Sequence, residues 1–196
     1  MLKRFYKAIK YELVTLKNIN KSGLLIPTSD KTIGLMLSGV ITSETKIIVE
    51  LGAGNGNITR KILEVMPLNT VLLAFEISEE CKEFLTEIKD KRLIIIQDTA
   101  EKIDYYLQSY GFAYTNVIIS TLPLSVFSDY TRNSILNHIS TVMNSESKLV
   151  QMRYFSFSVL KSINKHFNID NTKYSFFNLP PTFLHFCSIK GNNITK

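Results

Sequence analysis

Glu50-Leu-Gly52-Ala-Gly54-Asn-Gly56 stands between a short apolar run, Ile47 to Leu51, and a segment of helical period. Glycines at alternate positions permit a tight turn and let a ligand approach the backbone where side chains would block it. The spacing is ExGxGxG, which differs from the GxGxxG of dinucleotide-binding loops. Glu76 closes a second apolar run, 20 residues past Gly56. A carboxylate there can accept hydrogen bonds from both hydroxyls of a ribose, although an ordinary acid at a strand end would read the same. Asp98 closes a third run in Ile96-Gln97-Asp98-Thr99-Ala100, where it can also cap the helix that follows. Ser120-Thr121-Leu122-Pro123 follows a fourth.

These residues need a scaffold that brings strand ends together. The apolar runs Ile47 to Leu51, Val71 to Phe75, Leu93 to Ile96, Asn116 to Ser120 and Lys148 to Met152 are short enough for buried strands. Between them, Ile58 to Val65, Ser78 to Lys89, Glu101 to Leu107 and Phe127 to Val142 have helical period. Pro67 stops the first of these, and Ser78 caps the second. Ser158 to Phe167 reads as a further helix. Lys173 to Phe177 and Thr182 to Ile189 read as a hairpin joined through Pro180 and Pro181. Alternating strands and helices predict an α/β, Rossmann-like fold. Its mainly parallel sheet has helices on both faces, and the hairpin adds antiparallel strands.

The glycine pattern resembles the S-adenosylmethionine (SAM) loop of class I methyltransferases. That resemblance implies SAM as cofactor, with Glu50, Gly52, Gly54, Gly56, Glu76, Asp98, Thr99 and Ser120 around it. By position, Glu50 orients the glycine loop or meets the methionine amino group. Asp98 lies near the adenine amino group. Thr121, Leu122 and Pro123 form the loop that this class turns toward its substrate.

Two subfamilies compete. The rRNA adenine dimethylases carry Asn-Leu/Ile-Pro-Tyr after the fourth strand, whose aromatic stacks on the flipped base. Here Ser120-Thr121-Leu122-Pro123-Leu124 lacks both the Asn and the aromatic. The bacterial phospholipid N-methyltransferases are similar over nearly the whole chain. Gly23-Leu-Leu-Ile-Pro27-Thr28-Ser29 resembles their Gly-x-x-x-Pro-Ser-Ser, and residues 50–56 their Glu-Leu-Gly-Pro-Gly-Thr-Gly. Thr121-Leu122-Pro123-Leu124 resembles Gly-Leu-Pro-Leu, and Gln151-Met-Arg-Tyr154 resembles Gln-Phe-x-Tyr. Asn178-Leu179-Pro180-Pro181 matches their Asn-Leu-Pro-Pro. Ala53, Asn55 and Thr121 depart from the pattern, and Phe155 stands where the family often has Gly. The resemblance implies an aminophospholipid such as phosphatidylethanolamine as substrate. Tyr154 and Gln151 are then the candidate catalytic residues facing it. An rRNA adenine methyltransferase, or a non-catalytic SAM- or membrane-binding module, remains the alternative.

Charge is unevenly placed. The net charge is +6, and residues 1–31 hold seven lysines and arginines against Glu12 and Asp30. Such an arm suits an anionic partner, phospholipid or RNA. Leu2, Phe5, Ile9, Leu13 and Leu16 make one narrow helical stripe, flanked by Lys3, Lys7, Lys10 and Lys17. A basic amphipathic helix can lie in an anionic lipid interface, each lysine adding ~1 kcal/mol. It can equally pack its stripe on the domain, and the family resemblance favours the membrane. The domain reading is an entry segment over 1–31 and a methyltransferase domain over 32–196.

The hydrophobic share of 45% suits one globular core. No run approaches the ~20 apolar residues of a membrane span, and no signal peptide is evident. Cys81 and Cys187 stand alone, without metal-ligand spacing, so reduced thiols and no metal are expected. A cytoplasmic protein peripheral to the membrane is the resulting expectation. His138 and His166 read as surface or structural, and His185 as a satisfied histidine within a sheet.

Overall fold

The computed structural model describes residues 27–154, 157–178 and 180–191, with the backbone alone at 157 and 158. The stripe and lysine flank of the N-terminal arm lie outside the described residues.

Five short apolar segments form parallel strands because β-branched and leucine side chains fill both faces of the sheet. They are β1 (Ile47–Leu51), β2 (Val71–Phe75), β3 (Leu93–Ile96), β4 (Val117–Ser120) and β5 (Lys148–Arg153). The sheet is completed by β6 (Phe167–Ser175) and β7 (Thr182–Ile189), both antiparallel additions. Strand order is β3-β2-β1-β4-β5-β7-β6. The order reverses between β1 and β4, and such a switch point opens a crevice at the carboxyl edge.

Helices cover both faces. On one side α1 (Asp30–Leu37) and α2 (Asn57–Val65) bury Ile33, Met36, Ile58 and Ile62 against Ile48, Leu72 and Ile119. Leu85 of α3 (Glu79–Thr86) packs on Ala74 of the same face. On the other side α4 (Ile103–Ser109), α5 (Asp129–Thr141) and α6 (Phe157–His166) enclose Leu51, Phe75, Ile118 and Leu149.

Three of the five parallel strands, and β7, begin and end where the sequence places them. The other differences have local causes. The helix α1 was not foreseen: it is only eight residues long and holds Gly34, a weak helix former. It runs across position 31, where the sequence reading divides the chain. The expected helix from Glu101 opens as a 3₁₀ turn, Ala100–Lys102, capped by Thr99 rather than by Asp98. The strand β6 starts at Phe167, six residues before the expected Lys173, directly after α6. A register irregularity between Ile169 and Asn171 breaks the two-residue alternation that would have revealed it.

Candidate functional site

The glycine loop turns sharply at the carboxyl edge of β1. Gly52 and Gly56 adopt φ of 82° and 79°, in the left-handed region. A Cβ on Gly52 would stand 3.2 Å from Thr121 Oγ1. One on Gly56 would stand 3.0 Å from Arg60 Nη1 and Ile88 Cδ1 and 3.1 Å from Leu85 Cδ2, so a side chain at either position would strain the backbone and press on its neighbours. The N–H groups of Gly52 and Ala53 both donate to Phe75 O at 3.0 Å, fixing the loop beside the end of β2.

Glu76 is where the loop and β2 converge. Gly54 N–H donates to Glu76 Oε2 at 2.7 Å, and Ser78 N–H to Oε1 at 2.8 Å. Each oxygen keeps a further lone pair, so the carboxylate can still accept a diol. Ile77, next in the chain, is 73% exposed and presents an apolar side chain beside that carboxylate.

Glu50 sits beneath the loop. It is fully buried, and Thr59 of α2 donates to its Oε2 at 2.6 Å. Its Oε1 has no partner among the described residues. Burial pushes the carboxyl up to about 8, against the Thr59 hydrogen bond, and the nearby Glu76 charge adds to the rise. The link between β1 and α2 spans both ends of the glycine loop.

Asp98 ends the third strand, with both oxygens engaged. Lys102 Nζ (2.9 Å) and Tyr106 OH (3.0 Å) donate to Oδ2, and Thr99 N–H (2.8 Å) donates to Oδ1. The Lys102 ammonium first, then the Thr99 N–H, hold its carboxyl below the usual carboxylate range. Thr99 Oγ1 accepts from Glu101 N–H at 3.3 Å as the cap of the 3₁₀ turn.

The segment after β4 is tied to the glycine loop from below. Thr121 Oγ1 donates to Gly52 O at 2.8 Å, which turns this side chain back toward β1. Gln151 is fully buried, and its Nε2 donates to Leu122 O (3.3 Å) and Met152 O (2.7 Å). Ser120 pairs with Gln151 in register and is also fully buried. Ser120 Oγ and Gln151 Oε1 lack partners among the described residues. Pro123 is exposed at the edge. Arg132 of α5, 4% exposed, was missed by the sequence reading. It donates to Leu124 O (3.0 Å), Phe127 O (3.3 Å) and Ser162 Oγ (3.0 Å), and pairs with Asp129.

Tyr154 lies at the carboxyl end of β5, partly buried against Met152 and the α1–α2 side of the sheet. Gln151 and Ser120 thus lie on one face of the sheet, and Tyr154 and Glu50 on the other. His185 is satisfied at both nitrogens. Arg153 Nε donates to its Nε2, and Thr172 Oγ1 lies 2.9 Å from Nδ1. Burial, with the Arg153 charge, pushes it down to about 4, a neutral ring in the sheet.

Pro27, Thr28 and Ser29 meet the same edge. Asn57 Nδ2 donates to Thr28 O at 2.5 Å, and Ser29 N–H donates to Asn178 Oδ1 at 2.9 Å. Among the described residues no group of three His, Cys, Asp or Glu is arranged to hold a metal ion. No helix among them is long and apolar enough to cross a membrane. Cys81 and Cys187 are both buried free thiols.

The strand order, the antiparallel final pair and the glycine turn after β1 define a Rossmann-like methyltransferase fold. Solved structures share it. The 1,6-didemethyltoxoflavin-N1-methyltransferase of Burkholderia thailandensis, with bound S-adenosylhomocysteine, superposes with TM-score 0.68 at 9% identity. The match covers 96% of this chain and 90% of that one. Human methyltransferase-like protein 13 in complex with SAH gives 0.64 at 14% identity, over 84% and 85%. Mitomycin 7-O-methyltransferase MmcR gives 0.60 at 16%, covering 81% of this chain, which spans only 53% of MmcR. No protein-family model and no curated protein sequence matches the chain.

Proposed function

We propose that this protein binds SAM at the carboxyl edge of β1, β2 and β3 and transfers its methyl group to the amine of an aminophospholipid such as phosphatidylethanolamine. The observation that carries the cofactor is the Glu76 carboxylate, bridging Gly54 and Ser78 N–H beside a glycine turn whose left-handed backbone disfavours side chains. The residues present fit the group: Glu76 retains lone pairs for a ribose diol, and Ile77 offers an apolar wall for a purine. Solved structures of this fold that hold S-adenosylhomocysteine support the same ligand class.

Bound SAM supplies a methyl group already activated by its sulfonium. The chain's task is to align an amine lone pair with that methyl and to exclude water. Glu50 and Thr59 hold the glycine loop, and Thr121 and Gln151 hold the segment after β4 against it. Gln151 therefore acts as a positioning residue through the Leu122 carbonyl. Tyr154, at the carboxyl end of β5, is the side chain proposed to face the amine and to assist loss of its proton.

The lipid assignment is supported by the sequence resemblance. Two of its motifs, Pro27-Thr28-Ser29 and Asn178-Leu179-Pro180-Pro181, meet through the bond between Ser29 and Asn178. The N-terminal arm is proposed to lie on anionic lipid, leaving the enzyme peripheral to the membrane.

Calorimetric titration with SAM tests the cofactor. Labelled SAM with phosphatidylethanolamine vesicles, and in parallel with structured rRNA, tests the substrate. Methylated lipid is the expected product. Label in RNA alone would make the adenine-methyltransferase reading the correct one, and label in neither would leave a SAM-binding module.

A further inference from the structure

The connection between β6 and β7 carries two adjacent phenylalanines in the open. Phe176 is 75% exposed and Phe177 57%. Large apolar groups left in water at a turn tip are informative where they cluster and are held in place. Both conditions are met. Ser175 Oγ accepts from Phe177 N–H at 3.3 Å and lies 2.7 Å from Thr32 Oγ1. Asn178 receives the Ser29 N–H. Tyr174 meets Phe176 edge-on at 4.2 Å, and Lys31 Nζ lies 4.5 Å from the Phe177 ring centre. The turn is thus an anchored display of two aromatic rings with a cation beside them.

Its position gives it a partner. The strand β7 runs antiparallel to β5, with Phe183 opposite Arg153, so the turn lies at the carboxyl end of β5. That is the edge that carries the glycine loop, Glu76 and Thr121. An amine fixed in a lipid headgroup can reach a site on this edge only if the edge itself faces the bilayer. The described chain enters here too, at Pro27, and residues 1–26 hold six lysines and arginines against Glu12. Aromatic rings that insert, with cations that meet anionic headgroups, are the two contributions an interfacial contact uses.

We infer that Phe176 and Phe177, with Lys31 at their base, insert into an anionic phospholipid surface and seat the carboxyl edge of the sheet on it. This deepens the lipid-amine reading above and rests on it. Phe176 and Phe177 lie outside residues 1–31, so their contribution can be read separately.

The chain contains no tryptophan, so a single substitution makes a site-specific reporter. Phe176→Trp is placed at the tip. Leu68→Trp, at an 85% exposed position before β2 on the opposite edge, is the control. Full-length protein is mixed with vesicles of phosphatidylethanolamine and phosphatidylglycerol, with and without brominated acyl chains. The tip emission should move to shorter wavelength and be quenched by bromine, while the control stays unchanged. Phe176→Ser with Phe177→Ser should weaken vesicle binding roughly tenfold or more, with an unchanged melting curve. Sedimentation with vesicles but a silent tip reporter would overturn the inference, because the arm alone would be binding. So would a response of both reporters. A tip emission already shifted without vesicles would show that the chain or a second copy covers the rings, and would overturn it as well. Methylation of a short-chain phosphatidylethanolamine dispersed in water reads the substrate assignment independently of any surface.

Discussion

Ser29 and Asn178 lie 149 residues apart, and the Ser29 N–H donates to Asn178 Oδ1 at 2.9 Å. Ser29 is also the N-cap of α1, its hydroxyl accepting from Thr32 N–H at 3.3 Å. One side chain therefore joins the entry of the chain to the β6–β7 turn, across the carboxyl edge where the glycine loop opens. Asn178 is 8% exposed, so the bond is shielded from water.

Removing that acceptor should loosen the edge. Asn178→Ala leaves the Ser29 N–H unpaired, at a cost of about 1–3 kcal/mol. Thermal melting should show the loss, and amide exchange at Ser29 should accelerate. Asn178→Asp keeps the acceptor and should recover most of the stability. Equal melting of Asn178→Ala and the parent would show that the bond contributes nothing.

Glu76→Ala should weaken SAM binding. The charged acceptor of a ribose diol contributes about 1.5–3 kcal/mol, which is roughly ten- to 150-fold in affinity. The same carboxylate caps Gly54 and Ser78 N–H, so some stability should fall with it. Titration calorimetry at a temperature well below the melting point separates the two effects. Wild-type affinity in this variant would move the cofactor site elsewhere.

Glu50 should make stability fall as pH rises. Its carboxyl is raised from the ordinary value near 4.5 to about 8 in the folded chain. Below 4.5 both states hold the proton, and Glu50 contributes no dependence on pH. Between about 4.5 and 8 the unfolded chain releases the proton while the folded chain keeps it, so unfolding becomes progressively easier. The slope from this one group is at most about 1.4 kcal/mol per pH unit. Glu50→Gln keeps the neutral shape and should remove this fall. Denaturant unfolding of both proteins from pH 4.5 to 8 gives the comparison. Parallel stability curves would mean that Glu50 is ionised in its buried site.

Arg132→Met should unsettle the segment after β4. The carbonyls of Leu124 and Phe127 would lose their donor, and Asp129 its partner. A loss of about 2–4 kcal/mol is expected from these buried bonds. Because Thr121 and Leu122 lie just upstream, turnover should fall more than SAM affinity. The ratio of kcat to the cofactor Kd tests this, and an equal fall in both would indicate general unfolding alone.

The parallel part of the sheet was legible because local chemistry dictates it. Five strand-length apolar runs that alternate with segments of helical period satisfy their backbones in a parallel sheet covered by helices. Glu50, Gly52, Gly54, Gly56 and Glu76 could be numbered as candidates from the sequence, since they lie at or just beyond the ends of β1 and β2. The helix α1 and the start of β6 were hidden, one by its length and Gly34, the other by the irregularity at Ile169 and Asn171.

Side-chain direction was decided only by the tertiary structure. Strand residues alternate faces, and which face is covered by which helix depends on contacts between distant segments. Thus Gln151 stands as a buried clamp on Leu122, Thr121 bends back to Gly52, and Asp98 is held by Lys102 and Tyr106. The meeting of Ser29 with Asn178, and of Lys31 with Phe177, needs the β6–β7 turn to fold onto an edge more than 140 residues away in the chain. Motif spacing determines which residues stand at the candidate site. The packing of the hairpin against α1 determines what else stands at the mouth of that site, because long-range contacts leave no periodic trace in the sequence.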